Sequence, residues 1–383
     1  MKIALFTDTF DEINGVANTY RRLVDFAAAK GIRLDIYTYG EKDSIETCGT
    51  ARVLRFRHIL PFRYYSDLSF DLTVIRPKIF RIAKSSGYDL IHTATPGSMG
   101  MNALAAAVLF RTRLIGAYHT DLPKYFVPRA ERFFAALIGR RACHLRPVSE
   151  ALTWMFLKAY YNRCVKVLAP SRHTLSELRS RLKPETGLFS RGVDAVTFNP
   201  AHKHGVNKIP VCLYVGRVSV EKRLDLLPEI FTRRDNAKLL IVGDGPYRKK
   251  LQSELPLAVF TGAVHDLHAL KKLYASADIF VFPSETETFG QVLMEAAASG
   301  LPRIVSDKGA SKELVRHGVD GFVAKDRTEF SGYVDRLIAD PRLRASMGQS
   351  AREFALTRNW DEVFDALSRE WESHIRQKEK RCS

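Results

Sequence analysis

Two glutamates on either side of a predicted helix start carry the clearest chemical signal in this 383-residue chain. Glu287 and Glu295 are separated by seven residues and follow a short apolar run that ends at residue 283. Residues 291–299 are good helix formers and are followed by Gly300, so a helix is predicted there. Its N-terminus would offer N–H groups and partial positive charge to a phosphate, and the two carboxylates could accept hydrogen bonds from sugar and ribose hydroxyls. A surface loop and a solvated helix would show the same residues.

A second candidate cluster is basic. Arg217 and Lys222 lie in the segment VGRVSVEKR, residues 215–223, directly after an apolar run. An arginine offers a rigid bidentate fork and a lysine a point charge, and together they would stabilise negative charge on a leaving diphosphate. The alternative is that both are solvated surface cations.

His119 is the third candidate, at the end of a predicted strand in GAYHTD, residues 116–121. A lone histidine is more often a hydrogen-bonded core residue than a catalytic one. Asp8 and Asp121 invite a metal assignment, but no two aspartates are spaced i, i+2, and the five scattered cysteines lack the spacing of a zinc site. We therefore expect no metal, and a reducing, cytoplasmic environment.

The charge is unevenly distributed along the chain. The net charge is +17, with 31 basic and 17 acidic residues before residue 206 and 28 basic and 25 acidic residues after residue 205. The first half thus carries +14 and the second +3. Such an excess should face an anionic partner, namely nucleic acid, a membrane surface or an acidic substrate. The apolar segment 90–110 is interrupted by Pro and Gly, so no transmembrane span is predicted.

Short apolar runs alternate with helical stretches along the whole chain, which predicts parallel α/β units. Seven runs followed by six indicate two Rossmann-like, doubly wound parallel sheets. Signatures of dinucleotide-binding, Walker A and nucleophile-elbow loops are missing from the sequence. The predicted strands cover residues 3–6, 34–39, 53–56, 90–93, 114–118, 145–148 and 165–169, and then 211–215, 239–242, 259–262, 279–282, 303–306 and 322–324.

Residues 192–210 contain two prolines and two glycines without periodicity, which is typical of a linker. We expect a first domain over residues 1–199, a second over 206–358, and a C-terminal helix and tail over 359–383 that is able to cross back to the first domain. Ligands of open α/β sheets bind beyond the carboxyl ends of the strands, so two facing domains would enclose the site.

Taken together, these segments resemble the retaining glycosyltransferases of glycosyltransferase family four, which have the two-Rossmann GT-B fold. The resemblance rests on the Glu287 and Glu295 spacing, on residues 215–223, on Gly15 in the turn INGV, and on VGDGP at residues 242–246. These motifs occur in the family's order and span essentially the whole chain. GASKE at residues 309–313 departs from the pattern, because an alanine stands where many relatives have the second of two glycines.

The resemblance implies a metal-independent, cofactor-free transfer of a hexose from a UDP- or GDP-sugar with retention of configuration. The departing diphosphate would help to deprotonate the acceptor hydroxyl. The implied catalytic residues are His119, Arg217, Lys222 and Glu287. The implied donor-binding residues are Gly15, Arg217, Lys222, Gly243, Val264, Thr288, Phe289, Gly290 and Glu295.

The stretch from residue 122 to residue 166 mixes aromatic residues with nine basic and two acidic ones. Such a mixture suits an interfacial helix on anionic lipid, and it also suits stacking on single-stranded nucleic acid or an ordinary core. The segments 119–126 and 190–200 resemble lipid-glycosylating members, of the diacylglycerol glycosyltransferase, sulfoquinovosyl transferase and phosphoinositide mannosyltransferase types. The candidate acceptor or membrane residues are Asp121, Tyr125, Arg129, Arg132, Arg140 and Arg141.

A membrane-lipid acceptor is therefore expected, with the enzyme held peripherally on the inner face of the membrane. The closest alternative is a soluble or lipid-linked saccharide acceptor, as in capsule or lipopolysaccharide assembly. A basic nucleic-acid-binding protein would explain the charge alone. It would leave the paired glutamates and paired cations without a purpose, so no nucleic-acid partner is expected.

Overall fold

The computed structural model describes residues 1–12, 14–65, 68–71, 75–124, 127, 146–203, 205–232 and 234–382. The chain divides into two compact units, the first comprising Met1–Ser190 with Asp361–Ser383 and the second Arg191–Trp360. Residues 191–199, which the sequence assigns to the first domain, group with the second unit. Val193 and Phe198 are buried there, and the Val193 N–H donates to the Arg358 carbonyl at 2.8 Å.

Among its described residues, the first unit holds an eight-stranded sheet in the order β10-β9-β8-β7-β1-β2-β4-β3. Neighbouring strands are parallel except for the antiparallel pair β3 and β4. The strands are β1 (Lys2–Phe6), β2 (Arg33–Gly40), β3 (Ser44–Cys48), β4 (Ala51–Arg57), β7 (Leu90–Thr93), β8 (Arg113–Ala117), β9 (Lys166–Ala169) and β10 (Glu185–Leu188), with a separate antiparallel pair β5 (Pro61–Tyr65) and β6 (Leu68–Asp71). The helices are α1 (Gly15–Ala29), α2 (Pro77–Ser86), α3 (Ser98–Leu109), α4 (Arg146–Tyr161) and α5 (Arg172–Arg181).

One predicted strand of this unit is wrong, and two strands of its sheet were not predicted. Residues 145–148 were expected to be extended, but α4 begins at Arg146. Its buried side chains recur at helical intervals, at Trp154, Leu157 and Tyr161, so a short apolar run at its start was misleading. β3 and β10 are largely exposed and lack the apolar run by which the other strands were recognised.

The described residues of the second unit form a six-stranded, fully parallel sheet in the order β13-β12-β11-β14-β15-β16. All six predicted strands are confirmed: β11 (Val211–Val215), β12 (Lys238–Val242), β13 (Val259–Gly262), β14 (Ile279–Phe282), β15 (Arg303–Ser306) and β16 (Gly321–Ala324). The helices are α6 (Leu227–Phe231), α7 (Arg248–Glu254), α8 (Leu267–Ser276), α9 (Gln291–Ala298), α10 (Arg327–Ala339) and α11 (Pro341–Leu356). Single 3-10 turns occur at Pro200–His202, Val220–Lys222, Leu224–Leu226 and Ser311–Leu314.

Each sheet has a topological switch point, where successive strands are added first on one side of a central strand and then on the other. β1 pairs with β2 on one side and β7 on the other, and β11 pairs with β12 and β14. In open α/β sheets, ligands bind at the carboxyl ends of the strands at such a point. Gly15 follows β1, and Arg217, Gly243 and Glu287 follow β11, β12 and β14. His119 and Asp121 instead follow β8, and Val264 follows β13.

The last helix, α12 (Trp360–Cys382), packs on the first unit from Asp361 onward. The Phe364 ring lies 5.4 Å from the Phe26 ring, and Trp371 is fully buried. Glu370 accepts from Lys166 Nζ at 2.8 Å and pairs with His374. The hydrogen bond from His374, together with the lysine, lowers the pKa of Glu370 to about 2. This cluster fixes α12 by charge as well as by apolar contact.

Candidate functional site

An ion pair joins two of the predicted site residues in the second unit. Lys222 lies in the 3-10 turn after β11, and its Nζ contacts Oε1 of Glu287 in the loop after β14. The Ser284 hydroxyl donates to the same carboxylate oxygen at 3.0 Å. The lysine and glutamate side chains are 21% and 16% exposed. Both are therefore held in place by each other while keeping access to solvent.

The backbone at Arg217 is anchored from beneath by Tyr214 of β11. The Tyr214 hydroxyl, which is fully buried, donates to the Arg217 carbonyl at 2.8 Å. Burial raises the pKa of Tyr214 well above its usual value, the charges of Glu287 and Glu221 add to the rise, and the Arg217 charge opposes it. These three charges consequently lie around one phenol at the carboxyl end of the strand.

Gly243 brings the loop after β12 against the loop after β11. Its φ is +137°, and a Cβ there would stand 1.9 Å from the Gly216 carbonyl oxygen. The position therefore excludes every side chain, which accounts for the glycine of the VGDGP segment. Val264, just beyond β13, is half-buried and packs on the core of the unit.

The loop that leads into α9 lies close to the backbone of the loop after β15. Gly290 precedes the helix with φ +98°, Thr288 is half-buried, and Phe289 is buried in the core. The Ala310 N–H donates to the Glu287 carbonyl at 3.2 Å.

The alanine that departs from the family pattern has a physical explanation. Gly309 has φ +70°, and a Cβ on it would lie 2.7 Å from the Glu285 carbonyl oxygen, so this first position needs glycine. Ala310 has φ −82°, an ordinary value for an L-residue, and is fully buried. The second position of the pair thus accommodates a methyl group.

Glu295 has a different partner from Glu287. The Tyr274 hydroxyl of α8 donates to Glu295 Oε2 at 2.8 Å. Burial raises the pKa of Tyr274 well above its usual value, and the Glu295 charge adds to the rise. A neutral phenol therefore orients Glu295, whereas a cation orients Glu287.

In the first unit His119 lies two residues beyond β8 and is 5% exposed, with its Nε2 2.6 Å from the Tyr20 hydroxyl. Asp8, beyond β1, accepts from the N–H of Met99 in the first turn of α3 at 2.9 Å and from the hydroxyl of Thr95, which precedes that helix. Burial raises the pKa of Asp8, although these hydrogen bonds act against the rise. Asp8 thus caps a helix.

Asp121 interacts with Lys124, three residues further along the chain. It accepts from the Lys124 N–H at 3.2 Å and pairs with Lys124 Nζ at 2.7 Å. Within the ranges that the structure describes, no three His, Cys, Asp or Glu side chains are grouped so that they could hold a metal ion.

Gly15 is the exposed first residue of α1. Asn14 caps this helix, because its Oδ1 accepts from the N–H groups of Val16 at 3.0 Å and Ala17 at 2.8 Å. An Asn directly before a helical pattern is a recognisable cap, so this residue could have been found from the sequence. Ser284, Tyr274 and Tyr20 carried no comparable signal.

Five residues proposed to contact acceptor or membrane, namely Tyr125, Arg129, Arg132, Arg140 and Arg141, lie outside the described residues. In the part of the chain that the structure does describe, no helix combines the length and apolar character needed to cross a bilayer.

Two protein families match successive parts of the chain. Residues 13–196 match Glycosyltransferase Family 4, and residues 199–354 match the family described as Glycosyl transferases group 1.

Relatives of established name match over most of the chain. A GDP-mannose-dependent alpha-mannosyltransferase of Mycolicibacterium smegmatis is 30% identical, covering 100% of both chains. Sulfoquinovosyl transferase SQD2 of Arabidopsis thaliana is 30% identical over 94% of this chain and 71% of its own length. The alpha-monoglucosyldiacylglycerol synthase of Streptococcus pneumoniae is 25% identical, over 89% and 79% respectively.

Solved structures share the fold. Sucrose-phosphate synthase from Thermosynechococcus elongatus has a TM-score of 0.74 at 22% identity, covering 98% of this chain and 100% of its own. Anabaena HepE, solved in complex with UDP and glucose, has a TM-score of 0.73 at 19% identity, covering 97% and 100%.

The ion pair between Lys222 and Glu287 predicts non-additive effects on stability. Lys222→Ala and Glu287→Ala should each lower the free energy of urea unfolding, and the double variant should lower it by less than their sum. The expected coupling is about 0.5–3 kcal/mol because the charges touch and are mostly shielded. The control is the more exposed pair Arg248 and Asp244, 2.9 Å apart, for which about 0.2–1 kcal/mol is expected. Equal coupling in both cycles would show that the pair at Lys222 is an ordinary surface pair.

Proposed function

The chain belongs to glycosyltransferase family 4 and is a glycosyltransferase, and from this premise we propose its substrates and the roles of its residues. It transfers a hexose from a UDP- or GDP-sugar to a hydroxyl of a membrane lipid, with retention of the anomeric configuration. The observation that carries the proposal is the contact between Lys222 and Glu287 beside the N-terminus of α9. A cation, a carboxylate and the N-terminus of a helix match a diphosphate attached to a sugar.

The donor diphosphate is bound by the cations of the second unit. Arg217 and Lys222 follow the same strand, and the close approach at Gly243 brings the backbone of the next loop alongside. The N-terminus of α9 adds partial positive charge. We assign Val264 and Thr288 to the apolar and hydroxyl contacts with the nucleoside and sugar. Phe289, whose side chain is buried in the core, holds the loop that carries Thr288 in place.

Bond making and breaking occur between the sugar and two oxygens. The bond from the anomeric carbon to the donor phosphate oxygen breaks, and a bond from the same carbon to the acceptor oxygen forms on the same face. The acceptor proton passes to the departing phosphate oxygen. Arg217 and Lys222 stabilise the negative charge that develops there, which lowers the barrier because that charge is larger in the transition state than in the bound substrate.

Glu287 and Glu295 bind different parts of the donor. Glu287 releases part of its contact with Lys222 to accept from hydroxyls of the transferred sugar, and Glu295 accepts from the ribose. His119 of the first unit contacts the transferred sugar, and Gly15 offers its backbone at the start of α1. The different partners of the two glutamates in the structure support separate roles.

The lipid acceptor is supported by charge and by a relative. The first 205 residues carry +14, and the relative from S. pneumoniae is named for a glucosylated diacylglycerol. An anionic membrane surface would attract such a domain without an anchor. We therefore propose peripheral association with the inner face of the membrane, through Asp121, Tyr125, Arg129, Arg132, Arg140 and Arg141.

Donor binding should be visible as thermal stabilisation. One nucleotide sugar from a UDP and GDP panel should raise the melting temperature, because a ligand at 100 times its Kd adds about 2.7 kcal/mol to folding stability. The measurement is a thermal-shift assay with RNA and DNA oligonucleotides as controls. Stabilisation by the oligonucleotides and by none of the sugars would contradict the proposal.

Replacing each glutamate should affect a different kinetic constant. Glu287→Ala should lower kcat by roughly 100-fold or more, since contacts to the reacting sugar tighten in the transition state. Glu295→Ala should mainly raise the donor KM, and Tyr274→Phe should raise it less, because this change removes one hydrogen bond to Glu295 but keeps the carboxylate. Full activity of Glu287→Ala would show that the sugar is bound elsewhere.

The basic stretch should hold the enzyme on anionic membranes. Replacing Arg129, Arg132, Arg140 and Arg141 by Ser should weaken sedimentation with anionic vesicles, since each cation contributes about 1 kcal/mol at such a surface. Salt should weaken binding of the wild type, because the Debye length is about 8 Å at physiological ionic strength.

The matched control removes the same charge from exposed positions of the second unit, by Ser replacements at Lys249, Lys272, Lys325 and Arg342. Donor stabilisation should be unchanged in both variants. Equal loss of vesicle binding in the two would mean that net charge alone is responsible, and no loss in either would exclude the basic stretch as the membrane contact.

A further inference from the structure

A chain of hydrogen bonds in the first unit leads from α12 to His119. The Trp371 indole N–H donates to His92 Nδ1 at 3.2 Å. His92 Nε2 lies 3.3 Å from the Tyr20 hydroxyl, which lies 2.6 Å from His119 Nε2. Side chains from α12, β7, α1 and the loop after β8 thus form one continuous path.

The Trp371 indole sets the direction of the hydrogen bonds along this path. An indole N–H can only donate, so His92 Nδ1 must accept. A neutral imidazole has a single N–H, which places the His92 proton on Nε2 and makes it the donor to the Tyr20 oxygen. With its oxygen accepting from His92, Tyr20 has its own proton to donate to His119 Nε2, and a neutral His119 that accepts there carries its proton on Nδ1.

Burial keeps this order intact. Trp371, His92 and Tyr20 are fully buried and His119 is 5% exposed. Phe189, also buried, lies with its ring 5.8 Å from the His119 ring and 6.4 Å from the His92 ring. Burial lowers the pKa of His92 to about 3, so this ring is neutral over the pH range in which the protein functions. A His92 protonated on Nδ1 would set its own N–H against the indole N–H away from water, and this clash of two donors is costly.

We propose that Trp371 is a positioning residue, which through His92 and Tyr20 holds His119 in the tautomer protonated on Nδ1. This inference rests on the proposed contact of His119 with the transferred sugar. His119 then presents an N–H at Nδ1, so it acts there as a hydrogen-bond donor to a sugar oxygen and not as a base. A residue on the last helix, 252 positions along the chain from His119, therefore determines what that histidine can do.

Three variants separate this role from simple packing. Trp371→Phe keeps an aromatic ring but removes the indole donor. Tyr20→Phe cuts the path next to His119 without altering α12. Phe364→Leu is the matched control, because Phe364 is also buried on the same helix and its ring contacts Phe26.

The direct measurement is the ring ¹⁵N NMR spectrum of histidine-labelled full-length protein without donor, assigned with variants that each lack one histidine. The wild type should show His92 protonated on Nε2 and His119 on Nδ1. Trp371→Phe and Tyr20→Phe should shift His119 toward a mixture of tautomers, and Phe364→Leu should not.

Kinetics give the second measurement. Trp371→Phe should lower kcat about 5- to 10-fold with little change in donor KM, in line with one weakened hydrogen bond in the transition state. Phe364→Leu should lower the melting temperature but leave kcat unchanged.

The inference is overturned if wild-type His119 is protonated on Nε2, if its tautomer is the same in Trp371→Phe and Tyr20→Phe, or if the tautomer changes while kcat does not. Failure of the proposed function looks different. The wild type would then transfer no sugar from any donor, while the tautomer spectra, recorded without donor, would still decide the order of protons.

Discussion

Parallel pairing of β11 with β12 and β14 is the constraint on which the polar cluster of the second unit depends. Parallel strands deliver all their carboxyl ends to one edge, so the loops that carry Arg217, Gly243 and Glu287 meet there although they are far apart in sequence. Strands β11 and β14 are almost fully buried, and the proposed site residues lie in the loops that follow them. The sheet therefore acts as a rigid base that leaves only the loops free to vary.

Within that edge, the charges are held in position by protein groups. Glu287 is held by Lys222 and Ser284, and Glu295 by Tyr274. Groups that are oriented before a ligand arrives need little rearrangement during a reaction, which is the main source of electrostatic stabilisation in enzymes. The glycines at 243 and 309 serve the same end, since each permits a backbone approach that any side chain would block.

In the first unit, the polar residues at the carboxyl edge of the sheet differ in their hydrogen-bond partners. Asp8 accepts from an N–H group at the start of α3, and Asp121 is bound to its own turn through Lys124. His119 instead belongs to a buried path of hydrogen bonds that ends on α12. The helix contributed by the end of the chain is thus part of the polar interior of the unit as well as its apolar core.

Most of the buried strands, the helix at residues 291–298 and the family itself could be predicted from the sequence. Each is encoded locally: a fully buried parallel strand is a short apolar run between turn residues, and a helix start shows its cap and stop signals. The exposed strands β3 and β10 escaped prediction because no apolar pattern marks them, and α4 was mistaken at its start because four residues do not distinguish a strand from a helix. Only the tertiary structure could pair Lys222 with Glu287, Tyr274 with Glu295, and Trp371 with His92. Those contacts depend on the order of the strands and on where α12 packs. A local sequence pattern does not show which side chains from distant parts of the chain come into contact in the folded protein.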